Sequence, residues 1–243
     1  MVVQSMEDAS PTKWHLAHTT WFFEQFILRE HAPGYRSPDD RFAFLFNSYY
    51  VQAGPRHTRS QRGLITRPGV DEVMAYRDHV DAAMERLIGS GPAAEVLDLV
   101  ILGCHHEMQH QELMVTDLLH ALSFNPLLPA IRAPEPMPTT GETPLGWTEH
   151  EGGIFAIGHD GAGFAYDCEE PRHEVLLRPY RLATRPVTNR EWIAFIEDGG
   201  YTRAPLWLSE GWAMVEREGW DAPFYWWRQD GEWWSFTPRG AQP

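Results

Sequence analysis

Two histidines four residues apart, His106 and His110, stand in the segment HHEMQHQE. A helix sets residues at that spacing one above the other on a single face, so both imidazoles could reach one cation. Neutral imidazole is a common ligand of first-row transition metals, and the chemistry on offer is therefore metal binding. A chain with 12 histidines in 243 residues supplies about 0.6 such pairs by chance, so the pair reads equally as two satisfied core or surface histidines. Burial would separate the readings, because imidazoles on the inner face of a bundle need partners and a bound cation supplies one to both.

These residues need a rod to stand on. The stretch EVLDLVILGCHHEMQHQELMVTDLLHAL, about Glu95 to Leu122, carries Val96, Leu97, Leu99, Val100, Ile101 and Leu102, then Met108, Leu113, Met114, Leu118, Leu119 and Leu122. The spacing is helical rather than alternating and predicts one long helix, much of it buried in a bundle. Upstream, Ser10-Pro11 reads as an N-cap followed by proline at the first helical position. The helix it opens, over TKWHLAHTTWFFEQFILREH, ends at Ala32-Pro33-Gly34. On it Leu16, Thr20, Phe23 and Ile27 share one stripe. His18 lies on the next with Trp14, Trp21 and Gln25, where it can face an aromatic interior; alone, it reads as a packed core histidine.

Between residues 35 and 68 the period is lost, and the segment reads as a long functional loop. Arg56, Arg59, Arg62 and Arg67 gather there, either as an anion site or as solvated cations pairing with surplus carboxylates. VDEVMAYRDHVDAAMERLI then returns to helical spacing through Val73, Tyr76, Val80, Met84 and Leu87, with Asp71 and Glu72 suited to its amino end. Gly89-Ser90-Gly91-Pro92 stops it. Three helices and a long loop fit a four-helix-type bundle, whose metal sites sit between facing helices.

A chain of 243 residues, 43% hydrophobic and 13% aromatic, can bury a real core as one large or two small domains. Its 34 acidic and 20 basic residues leave a net charge of −14, which repels phosphate backbones and anionic lipid and argues against nucleic-acid or membrane partners. Two cysteines, Cys104 and Cys168, are too few for a disulfide scaffold and lack zinc spacing, as in a reducing compartment. No apolar run reaches about 18 residues and the amino terminus lacks a signal core, so a cytoplasmic protein is expected.

After the bundle, FNPLLPAIRAPEPMPTTGETPLG reads as a proline-rich linker. Short apolar runs between Gly and Pro then suggest irregular β structure, with REWIAFIEDGG as a short helix. Seven of the 11 tryptophans fall between residues 201 and 234, and should line a core or a cleft.

With these residues in view, the chain resembles the ergothioneine-type sulfoxide synthases. These are iron(II) enzymes that join a DinB-like helical bundle to a formylglycine-generating-enzyme-like, or sulfatase-modifying-factor, domain. The carriers are SPTKWHLAHTTWFFE, HHEMQHQE, RHTRSQRGLITRP, GGIFAIG, EEPRHEV, RPVTNREWIAFI and GGYTRAPLWLSEGW, which span nearly the whole chain. The resemblance implies an α+β fold. Residues 1–123 form a DinB-like iron-binding bundle of four-helix type and residues 124–146 a linker. Residues 147–243 form the first part of an irregular, C-type-lectin-like FGE-sulfatase domain.

The resemblance further implies that His18, His106 and His110 hold Fe(II), leaving positions for a thiolate, an imidazole and dioxygen. Gln109 matches a position that contacts the imidazole substrate, and Arg59 and Arg62 match the pair that holds the thiol's carboxylates. Glu112, two residues past His110 and roughly 200° around the helix, is expected to partner a buried cation, and His15 and His105 to pack around the ligands. The implied reaction is oxidative carbon–sulfur bond formation between Nα-trimethylhistidine (hercynine) and cysteine or γ-glutamylcysteine, with dioxygen as oxidant. The family's active-site tyrosine is expected beyond residue 243, and a partner chain completing the second domain is among the expectations. The alternatives are a sister synthase for ovothiol or selenoneine, a DinB-like metal-dependent thiol S-transferase, and a metal-binding product without catalysis.

Overall fold

A computed structural model describes residues 1–133, 135, 141 and 143–243 of the chain. The fold is mixed α+β, helical in the first half with small sheets in the second. It divides into two compact units, Met1–Pro129 and Ala130–Pro243. Part of the expected linker, at residues 134, 136–140 and 142, lies outside the described residues.

The first unit is built on α1 (Thr12–Phe23), which continues through a π-helical turn at Glu24–Leu28 into the short α2 (Arg29–His31). After α3 (Phe42–Leu45) and a 3₁₀ turn at Arg59–Leu64 come the two long helices, α4 (Val70–Gly89) and α5 (Ala94–Ser123). Because α1 packs against both α4 and α5, it is buried nearly all round, from Lys13 to Phe22 with only Leu16 partly exposed. The stripe bearing Trp14, His18 and Trp21 is fully enclosed; on the neighbouring stripe Thr20 and Ile27 are buried and Leu16 and Phe23 half-buried. On α4 the expected stripe of Val73, Tyr76, Val80, Met84 and Leu87 is the buried one. Among the described residues, no helix is long and apolar enough to cross a membrane.

Two expectations are corrected here. Ser10 does not cap α1. Its hydroxyl accepts from Arg62 Nη1 at 2.8 Å and its backbone N–H donates to Asp117 Oδ2 at 2.8 Å, so tertiary partners have taken both groups. The long helix α5 is also less enclosed than its apolar content suggests: only Val96, Gly103, His106 and His110 are buried. A single stripe of it meets α1. At Gly103 an added Cβ would stand 2.5 Å from Phe23 Cε1, so this glycine admits the aromatic end of α1.

The second unit holds two antiparallel ribbons, β1 (Trp147–His150) with β4 (Tyr180–Ala183) and β2 (Gly153–Ile157) with β3 (His173–Leu177). Helices α6 (Asn189–Glu197) and α7 (Ser209–Glu218) precede a meander of β5 (Trp226–Gln229), β6 (Glu232–Thr237) and β7 (Gly240–Gln242). Thr188 caps α6, accepting from Glu191 N while Glu191 accepts from Thr188 N at 2.9 Å, the reciprocal box that RPVTNREW encodes. The tryptophans do not make a closed core. Trp226, Trp227, Trp233 and Trp234 are all half-exposed, and the first three line a cleft of about 520 Å³ with Tyr201.

Candidate metal centre

His106 and His110 emerge from α5 on its buried stripe, and His18 faces them from α1. The three rings are mutually tilted, with centroids 4.5 Å apart for His106 and His110, 4.7 Å for His18 and His110, and 5.0 Å for His18 and His106. One ligating nitrogen from each lies within 4.8 Å of the others. Bonds of about 2.1 Å let one ion span imidazole donors about 3–4 Å apart, so modest side-chain movement would close the set on a metal.

The surroundings favour neutral imidazoles with free lone pairs. Burial holds His18 well below the ordinary histidine range, and the neighbouring His110 and His106 add to the effect. Burial likewise lowers His106 to about 4, and lowers His110 to about 3 with help from His106 and His15. Three buried, uncharged imidazoles are the protonation state a metal requires. The Nδ1 atoms of two of the three rings have partners. His18 Nδ1 donates to Phe46 O at 2.6 Å, which leaves Nε2 as its lone-pair nitrogen. His110 Nδ1 lies 2.8 Å from His15 Nδ1. His106 Nδ1 is buried and, among the described residues, meets no hydrogen-bond partner. An orphaned buried nitrogen in a ring of lone-pair donors fits a bound cation.

Aromatic rings wall the centre. Trp14 and Trp21 stack with His18 at 4.5 and 5.4 Å, and Phe22 lies 4.8 Å from His106. Tyr50, which sequence reasoning did not single out, lies 6.4 Å from both His18 and His106.

The basic loop is drawn onto this wall unevenly. Lys13 is buried and donates to Ile65 O at 2.8 Å and Pro68 O at 2.6 Å, pinning the loop's end to α1. Arg62 is buried, with its guanidinium 3.6 Å from the Trp14 ring and its Nη groups on Ser10 and Ser48 hydroxyls. Burial, then the charge of Arg59, lowers it to about 10. Among the described residues no carboxylate ion-pairs with Arg62, and its buried Nε has no hydrogen-bond partner. Arg59 is more exposed, hydrogen-bonded to Asp8 O and 5.5 Å from the Tyr49 ring. Arg62 and Arg59 are thus close enough to couple, but only Arg62 borders the histidines. Gln109 is exposed beside His110. Glu112 is exposed too and is no partner for a buried cation, because its position on α5 turns it away from α1.

His15 was expected to pack around the ligands, whereas sequence reasoning left Asp117 without a role. His15, one turn before His18, is buried between His110 and Asp117, with its Nε2 3.0 Å from Asp117 Oδ2. Burial alone would raise the Asp117 carboxyl, but hydrogen bonds from His15 and Ser10 N hold it below the usual carboxylate range. The signal was an Asp seven residues beyond His110, two turns along the same buried stripe.

Residues 137–241 match the sulfatase-modifying factor enzyme 1-like domain. Over 89% of its length the chain is 31% identical to a hercynine oxygenase of Mycolicibacterium smegmatis and 34% identical to one of Mycolicibacterium thermoresistibile. A hercynine oxygenase of Mycobacterium tuberculosis is 30% identical over the same share. The alignments cover 49%, 47% and 50% of these relatives, so the chain spans about half their length.

Proposed function

We propose, for a chain that belongs to the hercynine oxygenase family, that its DinB-like first unit carries the Fe(II) centre of an ergothioneine-type sulfoxide synthase. His18, His106 and His110 would hold the iron. The reaction would join hercynine to cysteine or γ-glutamylcysteine as a sulfoxide, in the cytoplasm. The observation that carries this reading is the convergence of three buried, neutral imidazoles from two helices beside a buried guanidinium that, among the described residues, ion-pairs with no carboxylate. When bound, iron(II) would supply the dioxygen chemistry and bind the thiolate.

The chain's own residues do the positioning. Arg62 is a desolvated cation with an unspent Nε donor, which favours an anionic group at the rim of the histidines. Arg59 adds a second charge nearby, and the pair suits the carboxylates of a thiol substrate. Trp14, Trp21 and Phe22 exclude water around the imidazoles. Arg59→Ala is expected to raise KM for the thiol roughly 10-fold or more, since a charge-assisted hydrogen bond contributes about 1.5–3 kcal/mol, and to leave KM for hercynine within about 2-fold. Equal effects on both substrates in steady-state kinetics would remove the loop from the thiol site.

The test of the function is aerobic turnover with Fe(II), hercynine and each thiol, with products identified by mass. A sulfoxide carrying both substrates supports the proposal. Thiol transfer without oxygen uptake, with zinc or nickel as the preferred metal, would instead assign the centre to a thiol S-transferase.

A further inference from the structure

The segment before α1 reaches over the turn that carries the two arginines. Gln4 Nε2 donates to Arg59 O at 2.8 Å and to Ala9 O at 2.9 Å, and Gln4 Oε1 accepts from Gly63 N at 2.7 Å. In an α-helix the N–H of residue 63 would bond the carbonyl of residue 59; in the 3₁₀ turn Arg59–Leu64 both groups meet the Gln4 amide. Gly63 makes the room, since an added Cβ there would stand 3.0 Å from Gln4 Cβ and 3.3 Å from Gln4 Oε1. Resting on the reading of Arg59 and Arg62 as the site of the thiol's carboxylates, we infer that Gln4 is a positioning residue that fixes both arginines relative to the histidines.

No protonation state enters this assignment. Backbone carbonyls only accept and a backbone N–H only donates, so the amide of Gln4 has one orientation that satisfies all its neighbours. Its anchors bracket the arginines, one on Arg59 itself and one on the residue after Arg62. The same segment supplies partners for both guanidinium groups, Asp8 O for Arg59 and Ser10 Oγ, at 2.8 Å, for Arg62. It is fastened in turn to α5, where Ser5 Oγ lies 2.7 Å from His120 Nδ1 and Ser10 N donates to Asp117 Oδ2 at 2.8 Å. That helix also carries His106 and His110. The arginine turn and two of the imidazoles are thereby referred to one rod, which matters for a thiol whose sulfur and carboxylate stand at a set separation. Loosening the turn costs the carboxylate contact without touching the histidines.

The experiment uses the whole chain and Gln4→Met, which fills the same space without the amide. Amide exchange at Gly63 should quicken roughly 2- to 10-fold, the loss expected from one hydrogen bond. The Arg62 Nε–H resonance, displaced in the wild-type protein by the Trp14 ring 3.6 Å from the guanidinium, should move toward the value of free arginine. With Fe(II), hercynine and cysteine or γ-glutamylcysteine, KM for the thiol should rise roughly 3- to 10-fold, while KM for hercynine and kcat at saturating thiol stay within about 2-fold. An unchanged Gly63 rate or an unchanged Arg62 resonance would overturn the positioning role, and so would equal rises in both KM values. Absence of turnover in the wild-type protein would overturn the proposed function and not the positioning of the arginines, which the exchange rate and the resonance decide without substrate.

Discussion

His106→Ala is expected to lower Co(II) or Fe(II) affinity by about 10²- to 10³-fold while leaving the far-ultraviolet circular dichroism of the chain unchanged. The affinity figure follows from structural metal sites, where about 10–16 kcal/mol shared over four ligands gives about 2.5–4 kcal/mol for each, and 1.4 kcal/mol is tenfold. The absence of a fold penalty follows from the site. Among the described residues His106 Nδ1 has no hydrogen bond to lose, and the ring's neighbours are Phe22 at 4.8 Å, Tyr50 at 6.4 Å and the other two imidazoles. His18→Ala is a poorer probe, because it also removes the bond to Phe46 O and the stacks with Trp14 and Trp21. Isothermal titration with Co(II) checks the first claim and circular dichroism the second. An affinity within threefold of the wild-type value would mean that the triad is a packed histidine cluster.

The parts of this centre visible in the sequence are those set by helical period. Residues 106 and 110 share a face because of their spacing, and α4 shows its inner face through Val73, Tyr76, Val80, Met84 and Leu87. His18 was ambiguous by spacing alone. Its helix is covered on two sides, so polar residues are enclosed along with apolar ones, and hydrophobicity does not single out the face that meets α5. Contacts made across the chain were hidden for a different reason. Arg62 sits in a segment with no period, and its burial depends on Trp14, Ser10 and Ser48 being brought together by the loop's return to α1. The same return took Ser10 away from its expected cap.

The half-exposed tryptophans of the second unit show the limit of composition. Seven rings in 34 residues demand burial on average, yet burial depends on neighbours that composition does not name. Among the described residues of that unit, Gly200, Val215, Phe236 and Gly240 are the ones fully enclosed.

The π-helical turn had no sequence signal, and it places the residue whose loss should most damage the fold. Glu24, the first residue of that turn, is fully buried; its Oε1 accepts from Tyr35 OH at 2.6 Å, and its Oε2 accepts from Tyr76 OH at 2.7 Å and Gln25 Nε2 at 3.1 Å. Tyr35 comes from the segment after α2 and Tyr76 from α4, so one carboxyl group ties three parts of the unit. Burial and Glu24 both push the two phenols up, so they remain donors at any ordinary pH. Glu24→Ala would orphan both hydroxyls at about 1–3 kcal/mol each and leave a small void, a total of about 3–5 kcal/mol. For a unit of this size the melting midpoint should fall by roughly 10–20 °C. The cause can be separated from mere loss of volume, because replacing all partners of a buried hydrogen bond by apolar groups is far cheaper than orphaning one side. Glu24→Leu combined with Tyr35→Phe and Tyr76→Phe should therefore melt well above Glu24→Leu alone. If the triple variant melts at or below the single one, the stability resides in packing around the π turn and not in the carboxyl group.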